Sequence, residues 1–120
     1  MVTALMIRPG EHPSPTLLAD NGDFLDCAVS IGAITTLTAM AKRVEDNIAV
    51  LYGDEAIMLG GIGNRCIDGC IYAGTIYIVA YQDGALQSLN DEDLARYTVL
   101  LWEPEQYTEE ETMDSYLVRW

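Results

Sequence analysis

Two hydrophobic periods alternate along this chain of 120 residues. A period of two puts alternate side chains on opposite faces of a strand, and it opens the sequence in "VTALMIR", where Leu5 and Ile7 share one side. Three prolines within "PGEHPSP" then break the run, and "TLLAD" predicts a short second strand. A helical period follows in "DNGDFLDCAVSIG": Phe24, Ala28 and Ile31 recur at i, i+4 and i+7, Asp20 or Asn21 can cap the start, and Gly32 suits the stop. "AITTLTAMAKRV" mixes signals, with threonines favouring a strand and "AMAKRV" suiting a helix, and is assigned to strand. "NIAVLY" predicts a short buried strand, closed by the turn "GDE".

The clearest strand is "GTIYIVAYQDG". Thr75, Tyr77, Val79 and Tyr81 share one face and Ile76, Ile78 and Ala80 the other, so apolar residues on both sides predict an interior position. "SLNDEDLARYTVLLWEP" predicts a helix capped by Ser88 with Asp91 or by Asn90 with Asp93, with Leu94, Tyr97 and Leu101 as its apolar stripe and Pro104 beyond its end. Thr108 and Glu111 have capping-box spacing ahead of Met113, Tyr116, Leu117 and Trp120, which predicts a short amphipathic helix. The whole predicts an α+β domain over residues 1–102: a mixed, mainly antiparallel sheet of about five strands with two helices packed on it. Residues 103–120 form an acidic C-terminal extension carrying the amphipathic helix, whose apolar side covers its own domain or joins copies into a homo-oligomer.

Charge narrows the function. Nineteen Asp and Glu oppose six Lys and Arg, a formal net charge of −13. Such a surface repels nucleic-acid phosphates and anionic membranes, and it suits a basic protein partner, including one that ordinarily binds DNA. Nine of the acids fall from Asp91 onward. Asp91, Glu92, Asp93, Glu109, Glu110 and Glu111 are the candidate partner-binding face. Simple solvation of helix surfaces would give the same pattern.

The stretch "LGGIGNRC", residues 59–66, is the one candidate ligand loop. It lacks the G-x-G-x-x-G spacing of a dinucleotide fingerprint and the Gly-Lys-Ser/Thr of a phosphate loop, and a strand rather than a helix follows it. What survives is an anion nest of loop amides with Gly61, Gly63, Asn64 and Arg65, and Tyr77 as an aromatic wall. The alternative is a turn in which the glycines supply positive φ and Arg65 pairs with a nearby acid.

No catalytic, metal or cofactor site is assigned. His12 is the only histidine and lies in the proline-rich loop, and a triad would depend on it alone. Cys66 and Cys70 lack zinc-knuckle spacing; in one strand they would face the same side as small buried apolar residues. With Cys27 they make an odd three, which fits no disulfide framework, and no run reaches the roughly 18 apolar residues of a membrane span. A reduced, cytoplasmic setting is expected.

Several pieces, "ALMIRPGEHP", a first helix ending in "SIG", "GGIGNR" ahead of "GTIYIVAY", and "SLNDEDLARY", give residues 4–102 an order that resembles the phage, prophage and plasmid family termed domain of unknown function 3846. Its most specific element is the pairing of "NR" with the downstream "GT-aromatic-I-V" strand. The family carries no activity to transfer. The resemblance implies an accessory protein of a mobile element, whose work would be to block a host protein, as a counter-defence inhibitor or as a DNA mimic. The other function to weigh is sequestration of an anionic nucleotide signal at the glycine loop, between subunits.

Overall fold

The most apolar alternating run becomes the centre of the sheet. The computed structural model describes residues 2–18, 39–53, 63–82 and 85–119. Among them the strands are β1 (Val2–Ile7), β2 (Ser14–Leu18), β3 (Ala39–Glu45), β4 (Ile48–Gly53), β5 (Gly63–Ile67), β6 (Cys70–Ala73), β7 (Ile76–Gln82) and β8 (Ala85–Gln87), and the helices α1 (Asp91–Leu100) and α2 (Glu109–Arg119). The main sheet has the order β2-β1-β7-β4-β3, with β8 paired to β7, and β5 and β6 make a separate hairpin. The fold is thus α+β with a six-stranded main sheet. The pairing expected to be mixed is antiparallel throughout the described residues.

Strand β7 shows why. Its alternation sends Ile76 and Ile78 into one apolar layer and Tyr77 and Val79 into another, one on each face of the sheet. Burying such a side chain stabilises by about 1.5–3 kcal/mol, which only an interior strand gains on both sides. β1 and β4 flank it and divide their residues in the same way. Leu5, Ile7, Ile48, Val50 and Tyr52 join Ile76 and Ile78, while Val2, Ala4, Ala49 and Leu51 join Tyr77 and Val79. β1 lies along the first half of β7 and β8 along the second half of the same edge. Ser88 Oγ accepts from the Thr3 amide at 2.9 Å, and the Leu89 amide donates to the Thr3 carbonyl, closing the gap between them.

On the first layer sit α1, through Tyr97 and Leu101, and the β5–β6 hairpin, through Ile67 and Tyr72. α1 starts where expected: Asn90 is extended, and its Oδ1 accepts from the Asp93 amide at 2.7 Å. α2 starts with a full capping box, Thr108 N–H to Glu111 Oε1 at 2.9 Å and Glu111 N–H to Thr108 Oγ1 at 3.0 Å. It packs on β6, where Ser115 Oγ accepts from the Ile71 amide at 2.8 Å. The acidic C-terminal segment therefore folds back on the hairpin.

Three expectations change in detail. Pro15 stands inside β2 rather than in a break, which an edge strand tolerates because no inner ladder needs its missing N–H. "CIDGC" is a hairpin, not one continuous strand. Asp68 (φ 52°) and Gly69 (φ 80°) both take left-handed backbone, the type I′ turn that Asp-Gly favours. Cys66 therefore pairs across from Ile71 and Cys70 from Ile67, which puts the two thiols on opposite faces of the hairpin. Cys66 is exposed and Cys70 half-buried, not a buried pair. The strand assignment for "AMAKRV" agrees with β3, whereas the helix expected over 20–32 lies outside the described residues.

Candidate functional site

Strand β5 carries two polar side chains into the interior. Asn64 and Arg65 are both fully buried. Asn64 Nδ2 donates to the carbonyls of Ile7 (2.8 Å) and Gly74 (2.9 Å), tying the end of β1 to the turn before β7. Arg65 Nε donates to the Leu101 carbonyl at 3.1 Å, and one terminal nitrogen to the Asn64 carbonyl (3.1 Å) and Asn64 Oδ1 (3.0 Å). The other donates to the Glu11 carbonyl at 2.7 Å. Burial pulls the pKa of the guanidinium down, and the negative Glu105 partly restores it. An arginine remains charged under these conditions, so its donors must be satisfied internally, and carbonyls rather than an acid side chain satisfy them.

The "NR" pair is therefore a knot that joins β1, the loop after it, the β6–β7 turn and the end of α1. The Gly74 contact also explains why "NR" and "GT" go together in the sequence. None of the donors described here faces solvent to meet an anion.

The other members of the glycine-loop site are dispersed. Gly61 lies outside the described residues. Gly63 begins β5 and has an ordinary negative φ; what it supplies is absence of bulk. A Cβ there would stand 2.6 Å from Thr112 Oγ1 and 2.9 Å from Tyr107 Cβ, so α2 and the segment before it dock against bare backbone. Tyr77 belongs to the apolar layer on the far face of the sheet, where burial raises its pKa. The strand pleat separates it from Arg65.

The acidic candidates occupy the first turns of the two helices, where carboxylates also stabilise the helix dipole. Asp91 and Glu92 are exposed and join no ion pair among the described residues. Asp93 is half-buried and pairs with Arg96 at 3.0 Å. In α2, Glu110 is exposed, Glu111 is held by the capping box, and the side chain of Glu109 lies outside the described residues. Hydrogen bonds from Thr108 keep the Glu111 carboxyl below its ordinary pKa.

Pattern reading missed three polar groupings. Arg96 makes a two-pronged pair with Glu45 of β3, at 2.6 and 3.0 Å, and the Tyr97 hydroxyl donates to the same carboxylate. These bonds, first from Arg96 and then from Tyr97, hold the Glu45 pKa below its ordinary value. Glu45 and Arg96, with Asp46, Asn47 and Asp93, line a shallow cleft of about 450 Å³. Glu105 Oε1 accepts from the Cys66 amide at 3.0 Å and from the Tyr107 hydroxyl. The third grouping sets Lys42 Nζ 3.1 Å from Cys70 Sγ. Asp93–Arg96 and Glu105–Tyr107 are close in sequence; the remaining contacts join residues from different elements.

The exposed face of α1 is the most distinctive surface. Its solvent side runs from Asp91 and Glu92 through Ala95 and Arg96 to Val99 and Leu100, which are 78 % and 64 % exposed. Trp102 follows, 44 % exposed, stacked on His12 with ring centroids 4.1 Å apart. His12 Nδ1 donates to the Trp102 carbonyl at 2.7 Å, which fixes one ring nitrogen in a structural bond. Among the described residues no group of three His, Cys, Asp or Glu could hold a metal ion, and no helix is long and apolar enough to cross a membrane.

No family model, no curated protein and no solved structure matches the chain.

Proposed function

We propose that this is a non-enzymatic accessory protein of a phage or mobile element that binds and blocks a host protein through an acidic surface centred on the exposed face of α1. One observation carries the reading: α1 presents bare acids at its first turn and bare Val99 and Leu100 at its last. A solvated helix face needs the acids but gains nothing from two exposed branched aliphatics and a tryptophan beside them. A protein interface uses both, an apolar centre and a charged rim. The disposition of positive charge strengthens the field. Of six basic residues, Arg65 is buried, Arg96 is held by two acids and Lys42 is half-buried against a thiol. The partner that fits is a basic protein, including one whose usual ligand is DNA. The phage or plasmid setting rests on the sequence resemblance alone. Sequestration of an anionic nucleotide at residues 61–65 has less support, because the Asn64 and Arg65 donors are spent on carbonyls.

The test starts from a partner identified by native mass spectrometry of the protein purified gently from host cells, then measured with purified components. Two variants separate the contributions: Asp91→Asn with Glu92→Gln, and Val99→Ser with Leu100→Ser. Each should weaken binding at least about tenfold, roughly 1.4 kcal/mol, and only the first should lessen the dependence of affinity on salt. Unchanged affinity in both variants, with circular dichroism unaltered, would refute the proposed face. A small-molecule adduct in place of a protein would favour the glycine-loop alternative.

A further inference from the structure

In a chain with nineteen acids and six bases a carboxylate is the expected partner of its one lysine, Lys42, yet the Lys42 ammonium meets a thiol. Its Nζ lies 3.1 Å from Cys70 Sγ, and it joins no ion pair among the described residues. The contact crosses between separate elements. Lys42 pairs with Val50 in the β3–β4 ladder, and its side chain leaves the sheet on the face that carries Val50 and the hairpin. Cys70 opens β6 and packs against the same apolar layer. Both line a cavity of about 500 Å³ with Cys66, Gly69, Ile71, Asp114 and Ser115, open enough to admit a small oxidant; Asp114 makes no ion pair with Lys42.

We propose that Lys42 and Cys70 form an oxidation site that closes into a covalent nitrogen–oxygen–sulfur bridge. With dioxygen as oxidant, the Lys42 ammonium and the Cys70 thiol yield the N–O–S link, one water and one proton. The N–H and S–H bonds break while N–O and O–S bonds form. Nitrogen and sulfur lose two electrons each, and these four reduce both oxygen atoms, one retained in the bridge and one released as water. The hairpin register aims Cys66 to the face opposite Cys70, which disfavours a disulfide between them. The bridge would join residues 28 apart in sequence and fasten β6, the strand on which α2 rests, to the edge strand β3. A link closing a loop of that length restricts the unfolded chain and raises stability.

Purified full-length protein kept in aerated buffer is compared with the same protein kept anaerobic with dithiothreitol, by intact mass and by mapping of proteolytic peptides. Aerated protein should contain a peptide pair joining Lys42 to Cys70, heavier by one oxygen and lighter by two hydrogens, and dithiothreitol should reverse it. The aerated form should also melt at higher temperature. Cys70→Ser and Lys42→Arg should each abolish the bridge and the difference in melting, and Cys66→Ser should preserve both. Because the first comparison uses the unaltered chain, poor folding of a variant cannot hide the answer. Aerated protein whose Cys70 still alkylates fully with iodoacetamide, or whose only oxidised product is a Cys66–Cys70 disulfide lacking the extra oxygen, overturns the proposal.

Discussion

Replacing Arg65 by Met tests the central structural claim, that this residue holds the fold together rather than a ligand. Methionine keeps the unbranched apolar stem and deletes the guanidinium. Four hydrogen bonds of 2.7–3.1 Å disappear, three from main-chain carbonyls and one from Asn64 Oδ1. The Glu11 carbonyl lies in an exposed loop and can be rehydrated, so its loss costs little. The Asn64 and Leu101 acceptors are interior, and each buried acceptor left without a donor costs about 1–3 kcal/mol. Relief from burying a charge offsets part of the sum. The balance is a loss of about 3–5 kcal/mol, set by the interior acceptors left without a donor. For a domain of this size that lowers Tm by roughly 10–20 °C. Arg65→Lys should recover only part of it, since one ammonium cannot reach carbonyls on three elements. Thermal unfolding followed by Trp102 fluorescence in a Trp120→Phe background reads the knot directly, because Trp102 adjoins Leu101. A Tm within about 3 °C of the parent would refute the reasoning and return Arg65 to the candidate ligand-binding residues.

Three further outcomes follow from the same geometry. Gly63→Ala should cost about 1–3 kcal/mol by overpacking, with faster amide exchange in α2, because its Cβ meets Thr112 and Tyr107; unchanged exchange would mean that α2 does not depend on this close approach. Thr108→Ala should cost about 1 kcal/mol in thermal unfolding, and Thr108→Asn, which can still cap, should recover most of it. Glu45 has a folded pKa below its ordinary 4.5, so the unfolded chain takes up more protons in the acid range and stability falls as pH falls through it. Glu45→Gln should therefore flatten stability against pH below about pH 5 in urea titrations. An unaltered slope would show that the Arg96 pair contributes nothing.

What was legible in the sequence was whatever one element decides alone. The two-faced alternation of residues 75–81 identified the central strand. The caps at Asn90 and Thr108 identified both described helix starts, since a side chain reaching an amide three residues on is a purely local event. The Asp-Gly pair at 68–69 was equally local, but the apolar residues on both sides concealed it within one apparent strand. Arg65 could not have been read correctly, because its acceptors lie at residues 11, 64 and 101 and meet only after β1, β5 and α1 have assembled. Glycine beside asparagine and arginine suggests an anion site when the surroundings are unknown. Buried carbonyls demand the same donors.

The acidic positions divide by the same logic. Asp93 and Glu111 are engaged by Arg96 and Thr108, so their place in the first turns has a folding explanation that needs no partner. Asp91, Glu92 and Glu110 have no such engagement among the described residues, and the dipole attraction that favours them is small beside the repulsion of a chain at −13. Exposed aliphatics follow the acidic turn of α1 on the same helix. Acids alone keep a surface soluble. Acids ahead of Val99 and Leu100 on one helix leave apolar area in water, and a partner would bury it. For that reason α1 is the surface on which binding should turn.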